Sequence, residues 1–326
     1  MPENGVGPEA GYFLGFDGGG TKTDCILAGA DGRILARATA GPSNPLRGGY
    51  TRAWFSLSDA ADLVLSHEKI TSNHIRGICA GLGGAGRPGV VQRVQTFFQR
   101  GFPNAEVDVT TDLEIALEAA FGSGEGMVLI AGTGSAAFGR DAVGRTARAG
   151  GRGPWFSDEG SAFDIGRNAV RAVLLAEENR GPSTILSDRL FPSLQARGWD
   201  SLLDQVAKDP DNVFPKVFPL VAELADQGDV VSREILFVAA VSLGRLALCV
   251  ADQLANPLRG RDREVRIAKL GGVHGRSKYF DAAVNEELAR VLPRFQLVEL
   301  SMSPAEAAVG IAVRVSRANG NAASMR

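Results

Sequence analysis

Two glycine-rich turns contain the residue types that proteins use to bind phosphate groups. The first runs from Asp17 to Asp24 with the sequence DGGGTKTD, and the second runs from Ile130 to Ser135 with the sequence IAGTGS. Glycine lets the backbone approach a phosphate closely and aim its N–H groups at the oxygens, while threonine adds hydroxyl donors and lysine adds a positive charge. The candidate phosphate ligands are Gly18, Gly19, Gly20, Thr21, Lys22, Thr23, Gly132, Thr133 and Gly134.

The two turns differ at the position of Asp17. Asp17 begins the first turn and could hold Mg²⁺ through water, because Mg²⁺ keeps much of its hydration shell. The second turn has no matching acid. Neither turn fits the P-loop pattern or the G-x-G-x-x-G pattern, since each is predicted to join two strands of a hairpin. We therefore expect one turn to organise a metal ion and the other only to bind phosphate oxygens. A plain glycine-rich hairpin is the alternative for the first turn.

The turns recur at a fixed spacing. Gly20-Thr21 and Gly132-Thr133 lie 112 residues apart, and so do Gly32-Arg33 and Gly144-Arg145. An internal duplication with one hairpin in each half explains this recurrence. Coincidence in a chain rich in glycine, alanine and arginine is the alternative.

Three further segments carry candidate functional groups. Asp112 follows the predicted strand Glu106–Thr110, where a carboxylate would project into the crevice that binds ligands in α/β sheets. It could act as a general base on an attacking hydroxyl, or it could simply cap the following helix. Gly150–Ser161 combines glycines, an aromatic pair and two adjacent acids, which favours a sugar-binding loop; a plain loop with helix-capping acids is the alternative. Leu270–Val273 ends another predicted strand, where small residues let a flat base lie close to the backbone.

The composition is that of a globular protein without a nucleic-acid-binding charge. The chain has 326 residues, of which 44% are hydrophobic and 22% charged, and its net charge is −2. This length suits two domains. The three cysteines and three histidines show no metal-ligand spacing. The longest apolar stretch, Phe237–Leu254, contains Arg245 and Asp252 and predicts a buried helix, and the first ten residues lack a signal-peptide pattern, so we expect a cytoplasmic protein.

The apolar periodicity predicts an α/β protein with strands and helices in both halves. The predicted strands are Tyr12–Phe16, Thr23–Ala28, Ile34–Ala40, Ile75–Leu82, Glu106–Thr110, Met127–Ala131, Val265–Leu270 and Gln296–Leu300. The predicted helices are Tyr50–Leu65, Val90–Phe98, Asp112–Phe121, Ser161–Glu177, Ser183–Leu190, Val217–Ala225, Val230–Leu254, Lys278–Val291 and Pro304–Arg317.

In their order along the chain, these segments resemble the N-acetylglucosamine kinase family, which is grouped with the BadF/BadG/BcrA/BcrD ATPases in the actin, sugar kinase and Hsp70 superfamily. The resemblance extends from about Tyr12 to Arg317. It implies two actin-like, ribonuclease H-like α/β domains that arose by internal duplication, with ATP in the cleft between them. The first domain would span residues 11–112 together with a returning helix at 303–318. The second would span residues 113–302 and carry a helical insertion.

The resemblance also implies that ATP and Mg²⁺ are used to phosphorylate the 6-hydroxyl of an amino sugar. N-acetylglucosamine is the first candidate, and glucosamine or another hexose is the alternative. Asp112 would be the catalytic base and Asp17 the metal ligand. The implied sugar ligands are Asn44, Asp112, Ser135, Gly151, Arg152, Gly153 and Asp158. The implied adenosine ligands are Gly271, Gly272 and Val273.

Two departures from the family pattern leave the sugar open. Arg152 stands where members of the family often carry Trp, and Ala136 stands where animal members carry a polar residue. A rival class is the ATP-driven activators of 2-hydroxyacyl-CoA dehydratases, which hold an iron–sulfur cluster through cysteines at a subunit interface. Cys25, Cys79 and Cys249 do not form such a ligand cluster in the sequence. Members of the kinase family are commonly dimers, so we expect a homodimer.

Overall fold

The structure is a computed structural model that describes residues 11–68, 70–255 and 264–324. The N-terminal decapeptide, for which the sequence predicts no signal peptide, lies outside these residues. Contacts divide the chain into a first unit, which comprises the residues up to Ser123 and those from Leu300 onwards, and a second unit, Gly124–Glu299. The division falls after Ser123 rather than after Asp112, because the helix that Asp112 begins packs on the strands of the first unit.

The first unit contains one five-stranded sheet covered by helices on both faces. Its strands are β1 (Tyr12–Gly18), β2 (Thr23–Gly29), β3 (Ile34–Ala40), β4 (Ile75–Leu82) and β5 (Glu106–Thr110), in the order β3-β2-β1-β4-β5. The first three form an antiparallel meander, while β4 and β5 add in parallel. Its helices are α1 (Pro45–Glu68), α2 (Pro88–Gly101), α3 (Asp112–Phe121) and α10 (Pro304–Ser324).

Alternation along β1 decides which helices lie on each face. Leu14 and Phe16 point into a core with α1 and α2, whereas Phe13 belongs to a second core with α3 and α10. Gly15 lies under α10 with almost no space, since a Cβ at this position would lie 2.3 Å from the carbonyl oxygen of Ala305. The missing side chain at Gly15 therefore lets the C-terminal helix lie directly on the sheet.

The second unit repeats the sheet topology of the first. Its strands are β6 (Gly126–Ala131), β7 (Ser135–Arg140), β8 (Thr146–Gly150), β9 (Val265–Leu270) and β10 (Phe295–Leu297), in the order β10-β9-β6-β7-β8. Again three strands form an antiparallel meander and two add in parallel. Its helices are α4 (Ala162–Glu177), α5 (Leu186–Ser193), α6 (Trp199–Lys208), α7 (Pro210–Gln227), α8 (Val230–Leu254) and α9 (Lys278–Val291).

Matching hydrogen bonds support the predicted duplication. In the first hairpin turn after β2, Gly29 N–H donates to Arg33 O and Gly32 N–H donates to Gly29 O, both at 3.0 Å. At positions 112 residues later, Asp141 N–H donates to Arg145 O at 3.0 Å and Gly144 N–H donates to Asp141 O at 3.1 Å. The glycines at the two turns share a positive φ, 81° and 87°. The recurrence in the sequence therefore corresponds to a recurrence in backbone geometry.

The structure adds elements to the helical half of the second unit. Trp199–Lys208 forms a helix that was not predicted from the sequence, and α7 begins at Pro210, seven residues before the predicted start. The first N–H group of a helix has no partner within the helix, so a proline at the start of α7 loses no hydrogen bond.

One helix among the described residues, α8, is long and apolar enough by length and composition to cross a membrane. It packs on α7, α9 and β7 and buries Leu236, Leu243 and Ala247 completely, as expected of a core helix.

Candidate functional site

The first glycine-rich turn closes the β1–β2 hairpin, as the sequence predicts. Asp17 pairs with Asp24 and Gly18 pairs with Thr23, which leaves Gly19–Lys22 as the turn itself. Gly19 N–H donates to Lys22 O at 3.0 Å. Gly20 and Thr21 are exposed at the tip of the turn.

The loop that carries Asn44 is tied to this turn. Ser43 N–H and Asn44 N–H both donate to Gly19 O at 3.1 Å. The Thr23 hydroxyl donates to Gly41 O at 2.7 Å and lies 2.8 Å from the Ser43 hydroxyl. Thr23 is completely buried, and its hydroxyl is committed to this loop rather than presented to a ligand. Thr23 therefore positions the turn against Asn44.

Asp112 begins α3 but does not cap it. The N-cap is Thr111, whose hydroxyl accepts from Glu114 N–H at 3.2 Å, while the Glu114 carboxylate accepts from Thr111 N–H at 3.0 Å. In this capping box, the two side chains each accept a hydrogen bond from the other residue's backbone N–H group at the N-terminus of the helix. The alternative that Asp112 serves as the helix cap is therefore wrong. One of its carboxylate oxygens accepts from Leu113 N–H at 3.1 Å, and the other points towards Gly83.

Asn44 and Asp112 converge on the backbone of Gly83. A Cβ built on Gly83 would lie 3.0 Å from Asn44 Nδ2 and 3.5 Å from Asp112 Oδ2. The Gly83 N–H donates to Gly18 O at 2.8 Å, which places this point beside the phosphate turn. Gly84 has a φ of 89° and likewise lies against the Asn44 amide. The pair Gly83-Gly84 was not among the predicted site residues, although its place at the end of a strand was a usable signal.

Three carboxylates share this region of the first unit. Burial first, and then the nearby charges of Asp112 and Asp24, raise the pKa of Asp17 from 3.8 to about 7. The Lys22 ammonium acts in the opposite direction, but it pairs with the Asp24 carboxylate at 2.6 Å. The Thr39 hydroxyl also donates to Asp24 at 2.7 Å. Burial and acidic neighbours therefore disfavour the ionised form of the Asp17 carboxyl group.

This arrangement fits a magnesium site that is completed by phosphate and water. Among residues 11–68, 70–255 and 264–324, no group of three His, Cys, Asp or Glu side chains could hold a metal ion. Mg²⁺ in nucleotide-dependent enzymes is commonly bound through one or two carboxylates, substrate phosphates and several waters. Asp17, with its raised pKa and acidic neighbours, matches that donor set.

The second glycine-rich turn closes the β6–β7 hairpin, also as predicted. Ala131 pairs with Ser135 and Ile130 pairs with Ala136, so the hairpin has apolar residues where the first has Asp17 and Asp24. Gly132 N–H donates to Gly134 O at 2.9 Å across the turn. At the strand positions next to the turn, the second hairpin therefore has no acid that corresponds to Asp17 of the first.

Asp158 and Ser135 connect this turn to the start of α4. Asp158 is buried with a φ of 68°, and its carboxylate would lie 2.8 Å from a Cβ at Gly134. A non-glycine residue with this backbone conformation is uncommon and is concentrated at functional sites. Ser135 Oγ donates to Glu159 O at 2.6 Å, and Ala162 N–H donates to Gly132 O at 2.8 Å. The turn is therefore held on the N-terminus of a helix.

The glycine loop after β8 lies beside the second turn. The Arg148 side chain donates to the carbonyl oxygens of Gly150, at 3.2 Å, and of Gly151. Gly151, with a φ of 69°, lies against Ala136, since a Cβ there would lie 3.0 Å from the Ala136 methyl. Gly153 also has a positive φ, 102°. Arg152 is exposed, so its side chain is not part of this packed arrangement.

The predicted adenosine segment packs directly on the second turn. Gly271 has a φ of 99°, and a Cβ there would lie 2.3 Å from Ala131 O. Val273 N–H donates to the same oxygen at 3.0 Å. The Val273 side chain is completely buried, so only its backbone is near the surface of this segment. Gly271 and Gly272 are exposed and leave an open backbone surface.

Known proteins match the chain over nearly its whole length. An N-acetylmuramic acid/N-acetylglucosamine kinase of Clostridium acetobutylicum is 28% identical over 305 residues, covering 92% of this chain and 98% of that protein. An N-acetyl-D-glucosamine kinase of Dictyostelium discoideum is 29% identical over 316 residues, covering 92% and 97%.

Solved structures match the fold as well. A Chromobacterium violaceum protein provisionally assigned as an N-acetylglucosamine kinase superposes with a TM-score of 0.73 at 23% identity, covering 93% of this chain and 99% of that chain. A ROK family glucokinase from Streptomyces griseus, in complex with glucose and AMPPNP, superposes with a TM-score of 0.58 at 18% identity, covering 93% and 98%. These likenesses establish the predicted actin-like α/β fold of the sugar kinases. The model of the BadF/BadG/BcrA/BcrD ATPase family matches residues 14–313, and the chain belongs to that family.

Proposed function

We propose that this chain is an ATP-dependent kinase that phosphorylates the 6-hydroxyl of an amino sugar, with N-acetylglucosamine as the first candidate. The observation that carries the proposal is the convergence of Asn44 and Asp112 on Gly83, beside the glycine-rich turn that follows β1. An amide and a carboxylate at one point suit a polyhydroxylated ligand, because both accept hydrogen bonds from hydroxyls. The two amino sugar kinases that resemble the chain support the same substrate class.

In the proposed reaction, Asp112 accepts the proton of the sugar hydroxyl as its oxygen bonds to the γ-phosphorus. A carboxylate within hydrogen-bond reach of the nucleophile can supply this general-base assistance. Asn44 orients the sugar through hydrogen bonds to its hydroxyls. Leu46 N–H donates to the Asn44 side-chain oxygen at 3.0 Å, which holds the amide in one orientation.

Phosphate binding in the first unit is assigned to the backbone at Gly18, Gly19 and Gly20 and to Thr21. Backbone N–H groups on a glycine-rich turn stabilise charge without reorganising during the reaction. Asp17 would hold Mg²⁺, which neutralises phosphate charge when bound. The pKa of Asp17, raised to about 7, would fall when such a cation replaced its proton.

The second unit is assigned complementary contacts. Gly132, Thr133 and Gly134 would bind phosphate oxygens, and the open backbone of Gly271, Gly272 and Val273 would bind adenosine. The sugar contacts assigned to this unit are Ser135, Gly151, Arg152, Gly153 and Asp158. Asp158 supports this assignment best, because its buried carboxylate and its positive φ mark a constrained position beside Gly134.

A coupled assay of ADP release over a panel of hexoses tests the proposal. We expect ADP release that depends on N-acetylglucosamine, with glucosamine and glucose as comparison substrates. A 6-deoxy analogue of the accepted sugar should give no turnover, because it lacks the acceptor hydroxyl. Turnover of the 6-deoxy analogue would contradict the position of transfer, and a product identified by mass spectrometry and NMR would show where the phosphate lies.

The rival class, an ATP-driven activator with an iron–sulfur cluster, has less support. Cys25 and Cys79 are completely buried, and only Cys249 is exposed among the three cysteines. Cluster ligands at a subunit interface would need several accessible thiolates on each chain. ATP hydrolysis that is indifferent to every hexose, in a brown purified protein, would favour this rival over the kinase.

We also propose that the protein is cytoplasmic and that it is a homodimer, the dimer being what the resemblance to the kinase family implies. Light scattering coupled to size-exclusion chromatography measures the mass in solution directly. A mass near twice the 34.2 kDa of the chain is expected, and a mass near that of a single chain would contradict the dimer.

A further inference from the structure

The side chain of Arg47 lies over the tip of the first phosphate turn. A Cβ built on Gly20 would lie 3.4 Å from Arg47 Cδ, 3.4 Å from its Nη1 and 4.0 Å from its Nε. The aliphatic part and the guanidinium of Arg47 therefore both lie on the side of Gly20 to which a Cβ would point. We propose that Arg47 binds the γ-phosphoryl group of the nucleotide and stabilises it during transfer. This inference rests on the proposed kinase function.

The backbone of Arg47 is held close to the turn. Asn44 N–H donates to Gly19 O at 3.1 Å, and Arg47 N–H donates to Asn44 O at 3.2 Å. Gly49, with a φ of 77° and a ψ of 161°, then interrupts α1. Residues 45–48 therefore form a short helical segment that is separate from the body of α1. Hydrogen bonds through Asn44 fix this segment, and Arg47 with it, to the glycine-rich turn after β1.

Two cations, Arg47 and Lys22, lie at this turn. Lys22 lies within the turn, but its ammonium pairs with the Asp24 carboxylate at 2.6 Å and its side chain is 63% exposed. Asp17 and Asp112 add negative charge nearby, as the raised pKa of Asp17 indicates. A polyphosphate that approaches Gly18–Gly20 needs a compensating positive charge on the protein side, and Arg47 lies where that charge is needed.

The guanidinium suits this role chemically. It is always protonated, and its planar N–H groups match pairs of phosphate oxygens. During transfer, the bond from the sugar oxygen to the γ-phosphorus forms, the bond from that phosphorus to the ADP oxygen breaks, and Asp112 takes the hydroxyl proton. Negative charge spreads over the equatorial oxygens of the phosphoryl group, and an arginine placed there stabilises it. Arg47 forms only hydrogen bonds and exchanges no proton.

Nucleotide titrations without sugar test the contact, since they do not require kinase turnover. We compare the Kd values of Mg·ATP, Mg·ADP and AMP for the wild type, Arg47→Gln and Arg47→Lys. The glutamine variant should bind ATP ~10- to 100-fold more weakly, as expected for a lost hydrogen bond to a charged group, and should bind ADP and AMP almost normally. Arg47→Lys should fold like the wild type, keep the charge and recover only part of the affinity, because it lacks the planar donors.

Two further variants sharpen the comparison. Arg52→Gln removes the same charge from an exposed site on α1 and should leave all three Kd values unchanged. Lys22→Gln tests the competing cation and should change the ratio of ATP to ADP affinity less than Arg47→Gln does. With sugar present, Arg47→Gln should lower kcat by about 100-fold or more, in the range set by catalytic arginines in phosphoryl transfer.

Two outcomes would overturn the proposal. The first is an Arg47→Gln protein, folded by circular dichroism, that retains the wild-type ratio of ATP to ADP affinity. The second is a loss of that ratio in Lys22→Gln but not in Arg47→Lys or Arg47→Gln. If the wild type phosphorylates no amino sugar, the proposed function fails, whereas the sugar-free titrations still decide whether Arg47 contacts the γ-phosphate.

Discussion

Asp17 should make the metal-free protein less stable as the pH rises, and Asp17→Asn should remove this effect. Burial raises the pKa of its carboxyl group from 3.8 to about 7, with Asp112 and Asp24 adding repulsion. Between pH 4 and pH 7, the folded protein therefore keeps a proton that the unfolded chain has lost. The free energy of unfolding falls through this window, because the folded state binds more protons than the unfolded state. Below pH 4 both states are protonated, and the contribution of Asp17 no longer changes.

The size of the effect follows from the pKa difference. A rise from 3.8 to about 7 is roughly 3 pKa units, which corresponds to about 4 kcal/mol at full strength. Asp17 keeps one partly exposed edge, where water screens the charge, so we expect about 2 kcal/mol. Asparagine has nearly the same shape and carries no charge at any pH. Asp17→Asn should therefore be more stable than the wild type by about 2 kcal/mol at pH 8 and by little near pH 4.

Urea denaturation at pH 5, 6, 7 and 8, in EDTA and without nucleotide, measures this difference. The gap between Asp17→Asn and the wild type should widen from pH 5 to pH 7 and level off above pH 7. Asp59→Asn, which removes an exposed acid on α1, is the matched control and should show no comparable widening. In the same preparations, Asp17→Asn should lose Mg²⁺-dependent phosphoryl transfer, since the proposed metal ligand is gone.

A gap that stays constant from pH 5 to pH 8 would refute the reasoning. So would an Asp17→Asn protein that is less stable than the wild type at pH 8. Either result would mean that burial and the acidic neighbours do not raise the pKa of Asp17 in the metal-free protein. The stability gain and the loss of activity together would show that the acid is retained for function at a cost to the fold.

Three further perturbations test the site and the packing around it. Asp112→Asn should lower kcat by about 10²- to 10⁴-fold with the Kd of ATP nearly unchanged, in steady-state kinetics and calorimetry; near-normal turnover would remove Asp112 as the base. Gly15→Ala should lower the free energy of unfolding in urea by about 1–3 kcal/mol, because the new methyl would lie 2.3 Å from a backbone carbonyl of α10. Gly89→Ala, where the new methyl would meet no described atom within 4 Å apart from its chain neighbours and its own helical backbone, is the control and should not be destabilised. Burial raises the pKa of Asp229, but hydrogen bonds, first among them that from Ser232 N–H, outweigh it and lower the pKa. Asp229→Ala should therefore cost about 1–3 kcal/mol at pH 7, and this difference should shrink as the pH falls below 4 and the wild-type carboxylate is protonated; an unchanged difference at low pH would contradict the assignment.

Local patterns predicted the elements that hold the site. Glycines between apolar runs predicted both hairpin turns, and the strands β3, β4, β5 and β9 have the predicted bounds, as do the helices α3, α8 and α9. These features depend on neighbours a few residues apart, which a sequence displays directly. Helix α6 was not predicted, although its apolar residues Trp199, Leu202, Leu203 and Val206 recur at helical spacing, so the sequence did carry this signal.

The contacts within the first site could not be predicted in the same way. Asn44, Gly83 and Asp112 are far apart along the chain, and they meet because β4 lies between β1 and β5 in the sheet. Arg47 reaches Gly20 only because the loop before α1 is hydrogen-bonded to the turn. Nothing in the local sequence distinguishes Arg47 from other arginines, or shows that Thr23 is buried.

The sequence by itself determined the chemical inventory of this protein: two glycine-rich turns that we propose bind phosphate, one acid that could hold a metal and one carboxylate at the end of a strand. The period of the duplication was also present in the sequence, because repeated backbone turns require repeated glycines. The tertiary structure alone decided which of these groups meet. Thr111 took the role of helix cap and left a carboxylate oxygen of Asp112 directed at Gly83. Burial and two neighbouring acids, which depend on how distant segments pack, raised the pKa of Asp17.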